Sequence, residues 1–312
     1  MHYAYPPRKS SNPPPYLPRS SRMPRIRRIH LRPVALIFLV VVGLIWLFSG
    51  GSKHAARRTI SGKPPVVLVT VFDDKTSENS VYTKNIRENR MQYAEKHGYG
   101  TLIAKTSDYD LKGSPSSWAK VVAMRHAITK YPDCKYMWYL DQNALIMNPN
   151  LKVEDYIMSA SKLETSMLKD KPVVPPDSII KTFSHLKGED VEFVLSQDKE
   201  GLASGSFVIK NGEWAKFFLD TWFDPLYRSY NFQKAETHAL EHIVQWHPTI
   251  LSKLAIVPQR IINAYSNNDY GEQYKDGDIA VVFAHCSNRG DKSCAKEAEK
   301  FSQQWRTSFS RA

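Results

Sequence analysis

After residue 65, short apolar runs alternate with longer segments in which apolar and polar positions mix. Val66–Phe72 is a continuous apolar run of the kind found in strands that are covered on both faces. Helices are predicted for Tyr82–His97 and for Trp118–Tyr131, the second ending before a proline. Thr101–Ala104 and Tyr136–Leu140 are predicted to be strands. This order of strand, helix, strand, helix and strand is typical of a Rossmann-like α/β fold.

The pattern is more mixed after residue 200. Ala203–Lys210 opens with small residues, which predict a turn, and continues as a predicted strand. Helices are predicted for Trp214–Trp222 and Ala235–Trp246, and strands for residues 256–257 and 279–284. The later half of the chain therefore also combines strands with helices.

A stretch of twenty residues without a charged side chain, Pro33–Ser52, lies near the N-terminus. About 20 residues are needed to cross the hydrocarbon core of a bilayer, so the length predicts one membrane-spanning helix. A cleaved signal peptide is the competing interpretation, but the preceding tail is long and no small-x-small cleavage pattern follows Phe48. A buried core helix is disfavoured because the segment has no polar face.

The flanks of this stretch predict its orientation. The preceding tail is basic and contains no acid, whereas only Lys53, Arg57 and Arg58 lie close behind the stretch. The positive-inside rule therefore predicts a cytosolic tail and a single-pass type II signal anchor. The tail is rich in Pro, Ser and Arg, a composition typical of disorder. The predicted organisation is a disordered basic tail (1–32), a membrane anchor (33–52), a stem (53–64) and one lumenal domain (65–312).

The charge balance argues against a nucleic-acid partner. The chain has 43 Lys and Arg against 31 Asp and Glu, and because eight of the basic residues belong to the tail, 35 remain against 31 beyond it. The basic character is therefore largely a topology signal.

The three cysteines have two possible arrangements in an oxidising lumen. Cys286 and Cys294 are close enough in sequence to close a small loop near the C-terminus. Cys134 would then be left over, either buried or paired between chains. No Cys-x-x-Cys pattern indicates a zinc site.

Two oxygen-bearing side chains follow the apolar strand Tyr136–Leu140. They are Asp141 and Asn143, and in open α/β sheets the carboxyl end of a strand is where ligands bind. Oxygen ligands at positions i and i+2 can hold a hard divalent cation, which in turn neutralises a diphosphate. The alternative is an ordinary turn, since Asp, Asn and Pro all favour turns.

Several motifs occur together in an order that resembles a known family. They are Asn89–Tyr99, Trp118–Lys120, Tyr136–Asn143, Ser204–Ile209, Val257–Arg260, Ile262–Tyr265 and His285–Cys286. The chain resembles glycosyltransferase family 34, the fungal Golgi α-galactosyltransferases and α-1,6-mannosyltransferases. Within that family it is most similar to an α-1,6-mannosyltransferase subunit of the mannan polymerase complex.

The resemblance implies a GT-A type fold and a retaining glycosyltransferase of the Golgi membrane that elongates N-glycan mannan. The implied donor is GDP-mannose, with UDP-galactose as the alternative. The implied cofactor is a divalent cation, usually Mn²⁺, and the implied partners are the glycan acceptor and other mannosyltransferase subunits. The positions that hold the metal in the family correspond here to Asp141, Asn143 and His285.

Two positions depart from the family pattern. Asn143 stands where a second carboxylate is expected, which removes one negative charge from a site for a dication. Thr237 and His238 stand where the family has Gln and Asp. These departures favour an alternative in which the chain is a non-catalytic scaffold subunit of the same complex.

The resemblance also gives roles to other polar positions, each with a plainer alternative. Asp73 ends the first strand and is predicted to contact the donor, or else to cap a helix. Lys120 is predicted to contact the diphosphate, although many helix lysines are only solvated. Gly205 and Ser206 are predicted to let the sugar approach closely, or else to form a simple turn. The candidate catalytic residues, with exposed helix positions as the alternative, are Glu236 and His238.

Overall fold

The computed structural model describes residues 63–76, 80–175, 178–287 and 293–311. The predictions for the tail (1–32), the membrane anchor (33–52) and nearly all of the stem (53–64) lie outside these residues. Among the residues that are described, no helix combines the length and the apolar character needed to cross a membrane.

The strands are short and mostly buried. In chain order they are β1 (Val66–Phe72), β2 (Gly100–Lys105), β3 (Tyr136–Leu140), β4 (Ala144–Ile146), β5 (Phe193–Asp198), β6 (Gly201–Lys210), β7 (Leu254–Val257), β8 (Ala264–Tyr265) and β9 (Ala280–Val282).

The helices lie between these strands and after them. In chain order they are α1 (Val81–His97), α2 (Ala119–Lys130), α3 (Val153–Tyr156), α4 (Ala160–Ser166), α5 (Glu213–Trp222), α6 (Pro225–Ser229), α7 (Ala235–Trp246), α8 (Pro248–Leu251) and α9 (Cys294–Ser310). Short 3₁₀ turns add Thr106–Asp108, Ser116–Trp118, Gly188–Asp190 and Gln259–Ile261.

The sheet is mixed, with a parallel half and an antiparallel half. Its six strands follow the order β2-β1-β3-β6-β5-β7, and a smaller sheet has the order β4-β9-β8. β1 runs parallel to both β2 and β3, whereas β6 runs antiparallel to β3 and β5. Apolar cores cover both faces of the large sheet. The predicted α/β class is confirmed, and so are the first five predicted elements, within one or two residues at each end.

The prediction of a turn at Ala203–Ser206 is wrong, because these residues lie within β6. Leu195 of β5 pairs with Phe207, but the next residue of β5, Ser196, pairs with Ala203. The three intervening residues of β6, Ser204, Gly205 and Ser206, therefore have no counterpart on β5 and form a bulge. We call these three residues the β6 bulge.

The other edge of the β6 bulge contacts the end of β3. Ser206 is paired with Leu140, and the carbonyl oxygen of Gly205 accepts a hydrogen bond of 2.9 Å from the backbone N–H of Asp141. Small residues at this point predict a turn only when the neighbouring strand is ignored. Pairing with β3 holds them in the sheet.

Helix α1 is fixed to the smaller sheet by one amide side chain. Asn89 donates from Nδ2 to the carbonyl oxygen of Ile146 at 2.8 Å, and its Oδ1 accepts from the N–H of the same residue at 2.9 Å. Asn89 thus replaces the main-chain partner that a neighbouring strand would give β4. Since the side chain is fully buried, these bonds are not exchanged with water.

A disulfide joins Cys286 to Cys294, the first residue of α9, and Cys134 is a free, buried cysteine. The closed loop is short, at a sequence separation of 8 residues, so the bond is expected to stabilise the fold by about 2–3 kcal/mol. We expect the double variant Cys286→Ser/Cys294→Ser to unfold at a lower temperature than the wild type. Reductant should lower the wild-type melting temperature but leave the variant unchanged. An equal effect of reductant on both proteins would contradict the prediction, and Cys134→Ser serves as the control.

Candidate functional site

The residues Asp141 to Asn143 form the turn that leads from β3 to β4. Asp141 Oδ1 accepts a hydrogen bond of 2.9 Å from the backbone N–H of Asn143, which closes the turn on its own side chain. Asn143 Oδ1 accepts a bond of 2.8 Å from the hydroxyl of Tyr82, on α1. Both predicted oxygen ligands are only half-buried, so the turn presents them at the surface of the fold.

Arg90, on α1, holds the backbone of this turn from beneath. Its Nη2 donates to the carbonyl oxygens of Asp141 at 3.0 Å and Ala144 at 2.9 Å. Its other nitrogens donate to Asn89 Oδ1 and to the hydroxyl of Thr70. Burial lowers the pKa of Arg90 to about 9, and Asp141 is among the neighbours that raise it, so the guanidinium is charged at neutral pH.

A small cavity of about 160 Å³ opens in front of the turn. It lies where three chain segments end or begin: β1, the start of α2, and β3. Its lining includes Asp73, Lys120, Tyr139, Asp141 and Asn143. Four of the residues predicted from the sequence are therefore brought together. Larger surface depressions exist elsewhere on the chain, but their linings contain none of these residues.

Lys120, which lines the cavity, belongs to a buried ion pair. Lys120 Nζ lies 2.7 Å from Glu236 Oε1, and both side chains are more than nine-tenths buried. Lys120 also donates to Ser204 Oγ of the β6 bulge at 3.3 Å, and Ser204 shares a bond of 2.7 Å with the hydroxyl of Thr237. Lys120 and Glu236, which the sequence placed in separate roles, are thus paired directly, and the β6 bulge contacts the same lysine.

Gly205 and Ser206 differ in their surroundings. Ser206 is fully buried, and its Oγ accepts a hydrogen bond of 2.9 Å from the indole N–H of Trp138. Its side chain is therefore occupied within the core. Gly205 is half-exposed and leaves room beside the turn, since a Cβ at this position would approach Asn263 Oδ1 at 3.8 Å and no other described atom within 4 Å.

Asp73 contributes mainly its backbone to the turn. Its N–H donates to Gln142 Oε1 at 3.0 Å, and its own carboxylate accepts from the N–H of Lys75. Gln142 is the middle residue of the Asp141–Asn143 turn, so this bond connects the end of β1 with the end of β3.

The two histidines predicted at the site, His238 and His285, do not line this cavity. His238 Nδ1 accepts a hydrogen bond from the N–H of Lys234, within its own helix start. His285 has a left-handed backbone conformation, with φ of 57°, and its ring stacks on Tyr270 at a centroid distance of 3.6 Å. His285 Nε2 is 3.9 Å from Glu200 Oε2.

The donor types at the turn fit a hard divalent cation, although a complete set of ligands is not assembled. Asp141 and Asn143 offer a carboxylate and an amide oxygen from one turn, which are the ligand types such cations prefer. The segment before His285 runs beside them, because the N–H of Phe283 donates to the carbonyl oxygen of Asn143 at 2.8 Å. Within the described residues, no group of three or more His, Cys, Asp or Glu side chains is placed to hold a metal.

The chain matches the family model described as the galactosyl transferase GMA12/MNN10 family, over residues 62–293. This match covers the sheet, the cavity and both halves of the buried ion pair. The chain belongs to the GMA12/MNN10 family. Its membership confirms the resemblance to family 34 that the ordered motifs indicate.

Members of the GMA12/MNN10 family with different stated activities are about equally similar to the chain. An uncharacterised α-1,2-galactosyltransferase of Schizosaccharomyces pombe is 32% identical, over 82% of this chain and 80% of its own length. The α-1,2-galactosyltransferase of the same organism is 33% identical, over 74% and 63%. The probable α-1,6-mannosyltransferase MNN11 of Saccharomyces cerevisiae is 31% identical, over 77% and 62%. The aligned part of the chain thus spans less than two thirds of the last two relatives.

A solved structure with low sequence identity to this chain has the same fold. A glycosyltransferase involved in the glycosylation of the major capsid of PBCV-1 superimposes with a TM-score of 0.52 at 10% identity, covering 77% of this chain and 100% of that one. The chain therefore has a glycosyltransferase fold with a mixed α/β sheet.

The sequence alone did not identify several residues that build the site. They are Tyr82, Asn89, Arg90, Ser204 and Asn263. Asn89, Arg90, Ser204 and Asn263 lie within motifs that carry the family resemblance, so the motifs pointed to them without indicating their roles. Tyr82 gave no separate signal, since it is a common residue near the start of a helix, whereas Thr237 was noted only as a departure from the family pattern.

Proposed function

We propose that this chain is a hexosyltransferase that moves a sugar from a nucleotide diphosphate donor to a hydroxyl group of a glycan. The observation that carries the proposal is the arrangement of Asp141, Asn143 and Lys120 around one cavity at the carboxyl end of β3. Family membership supports the reaction class.

We propose different roles for the oxygen-bearing and the basic residues of the cavity. Asp141 and Asn143 offer oxygens to a divalent cation, for which we propose Mn²⁺, with His285 as a further ligand. Such a cation, when bound, would neutralise the diphosphate that leaves the sugar. Lys120 is a cation at the wall, but Glu236 lies 2.7 Å away and compensates its charge. We therefore propose that Lys120 orients Glu236 and the β6 bulge as well as facing the diphosphate.

For the donor, we propose GDP-mannose first and UDP-galactose second. The similarity to the probable α-1,6-mannosyltransferase MNN11 and the motif order in the sequence support mannose. The family description and the similar α-1,2-galactosyltransferases support galactose. For the acceptor we propose N-glycan mannan, extended through α-1,6 bonds with retention of configuration.

We further propose a Golgi location, as a single-pass type II membrane protein that works with other mannosyltransferase subunits. The uncharged stretch Pro33–Ser52 and its basic flank support the membrane anchor. The disulfide between Cys286 and Cys294 supports an oxidising compartment.

Nucleotide binding tests the proposal. The full-length chain, purified in detergent, would be heated with GDP or UDP, each with and without Mn²⁺. A ligand that binds only the folded state raises the melting temperature, so a manganese-dependent rise with GDP supports mannosyl transfer and one with UDP supports galactosyl transfer. A folded protein that responds to neither nucleotide would refute the enzyme proposal and leave the scaffold alternative.

Asn143→Asp is expected to tighten manganese-dependent nucleotide binding by about tenfold, because it adds a charged ligand to the turn. The Tyr82 hydroxyl, which donates to Asn143 Oδ1, can donate equally well to a carboxylate, so the fold should tolerate the change. Asp141→Asn should weaken binding by a similar factor. Titration calorimetry with nucleotide and Mn²⁺ would measure both, with the exposed Asp220→Asn as the control. Equal affinities in all four proteins would rule out a metal at this turn.

A further inference from the structure

Two buried oxygens flank the β6 bulge and have no hydrogen-bond partner among the described residues. They are Asn263 Oδ1 and Glu236 Oε2. Asn263 is only 1% exposed and Glu236 only 3%. An unpaired buried acceptor costs free energy, so each oxygen would gain by receiving a hydrogen bond from a bound molecule.

Asn263 lies next to Gly205 of the β6 bulge. Asn263 Oδ1 is the described atom that a Cβ at Gly205 would meet, at 3.8 Å, and the carbonyl oxygen of Gly205 accepts from the N–H of Asp141. Asn263 therefore lies beside the turn that carries the predicted metal ligands. A side chain larger than hydrogen at Gly205 would fill the space that Asn263 faces.

The orientation of the Asn263 amide follows from its neighbours. The hydroxyl of Tyr265 donates to Asp198 Oδ2 at 2.6 Å, so its oxygen is free to accept from Asn263 Nδ2, 3.5 Å away. With the nitrogen directed to Tyr265, the oxygen must face the other way. The backbone of Asn263 is fixed as well, since its N–H donates to the carbonyl oxygen of Gln259 at 2.7 Å.

We propose that Asn263 binds a hydroxyl group of the donor hexose. The inference depends on the proposed transferase function and deepens it by naming a residue that reads the sugar. A diphosphate offers only acceptor oxygens and cannot satisfy another acceptor, whereas a hexose offers several O–H donors. The missing side chain of Gly205 lets the sugar ring approach. Because mannose and galactose differ in the orientation of their hydroxyls, a fixed acceptor here discriminates between them.

The test compares nucleotide with nucleotide sugar. Calorimetry on the full-length chain with Mn²⁺ would measure the affinities of GDP, GDP-mannose, UDP and UDP-galactose for the wild type and for Asn263→Ala. We expect unchanged nucleotide affinity and about tenfold weaker binding of one nucleotide sugar in the variant. An equal loss for the nucleotide and the nucleotide sugar would overturn the proposal.

Asn211→Ala is the matched control. Asn211 Oδ1 is also buried without a described partner, but the residue follows the far end of β6 and its amide nitrogen donates to Pro132 and Cys134. This variant should bind every ligand as the wild type does. If Asn263→Ala does not fold, Asn263→Ser takes its place, with the melting temperature of each variant measured first.

Deoxy analogues of the donor sugar identify the hydroxyl concerned. In the wild type, removal of the hydroxyl that Asn263 binds should weaken binding about tenfold, and in Asn263→Ala the same analogue should bind as well as the intact donor. Additive losses for every analogue would overturn the assignment. If the wild type binds neither nucleotide, the proposed function itself fails and this inference fails with it, whereas nucleotide binding without the sugar-specific effect refutes Asn263 alone.

Discussion

Lys120→Met is expected to lower the free energy of unfolding by about 3–5 kcal/mol, because it leaves Glu236 buried without a counterion. The Nζ–Oε1 distance is 2.7 Å, and the second oxygen of Glu236 already lacks a partner among the described residues. In a domain of this size, such a loss corresponds to a melting temperature lower by about 10 °C. Chemical denaturation followed by circular dichroism would measure it.

The exposed pair of Lys216 and Glu213 gives a matched control. Its Nζ–Oε1 distance is 2.6 Å, but the Glu213 side chain is 89% exposed. Lys216→Met should therefore leave the free energy of unfolding close to that of the wild type. The double variant Lys120→Met/Glu236→Leu should recover most of the stability lost in Lys120→Met, since no charge remains buried. If the double variant is as unstable as the single one, packing at Lys120 matters and the ion pair does not.

Arg90→Met should be of similar severity, with a cost of about 4 kcal/mol, because several buried oxygens lose their donor at once. Two of these oxygens belong to the backbone around the Asp141–Asn143 turn. We therefore expect this variant to lose manganese-dependent stabilisation by nucleotide even at temperatures where it is folded. Arg90→Lys keeps the charge but lacks the planar group that reaches several acceptors, so it should recover only part of the loss.

Arg306→Met is the appropriate control for Arg90. Arg306 also contacts α1, through Asn85 and Glu88, but its side chain is 49% exposed. Its removal should leave both stability and nucleotide binding close to wild type. An Arg90→Met variant that binds nucleotide as tightly as the wild type would show that the turn keeps its shape without the guanidinium.

The sequence predicted the parts of the fold that local pattern determines. Val66–Phe72 is apolar except for Thr70, Tyr136–Leu140 is apolar or aromatic throughout, and both are strands with those bounds. The β6 bulge could not be predicted in this way, because small residues favour a turn until β3 pairs beside them. Helix α9 was also missed. Only Cys294, Ala298 and Trp305 are buried along its length, so its apolar pattern is sparse.

The sequence predicted several residues of the candidate site but not the contacts between them. The cavity brings together Asp141 and Asn143, which were predicted from the strand end, and Asp73 and Lys120, whose roles the family resemblance implied. The pairing of Lys120 with Glu236 joins residues far apart in the chain, and nothing local to either indicates it. Arg90 lies within the Asn89–Tyr99 motif, but the motif did not indicate its role, because the groups that surround Arg90 come from β1 and from the turn after β3.

Arg90 holds the Asp141–Asn143 turn through backbone carbonyl oxygens and makes no hydrogen bond to the side chains of Asp141 and Asn143 in the structure described. The carbonyl oxygens of Asp141 and Ala144 are the same whatever residues occupy the positions between them. A substitution at 141 or 143 alters the bond from the Asn143 N–H or the bond from the Tyr82 hydroxyl, but it leaves both bonds from Arg90 to the backbone in place. The two positions proposed to bind a cation can thus be varied while Arg90 still holds the backbone on both sides of them, which makes them the starting point for changing the preference of the proposed cation site.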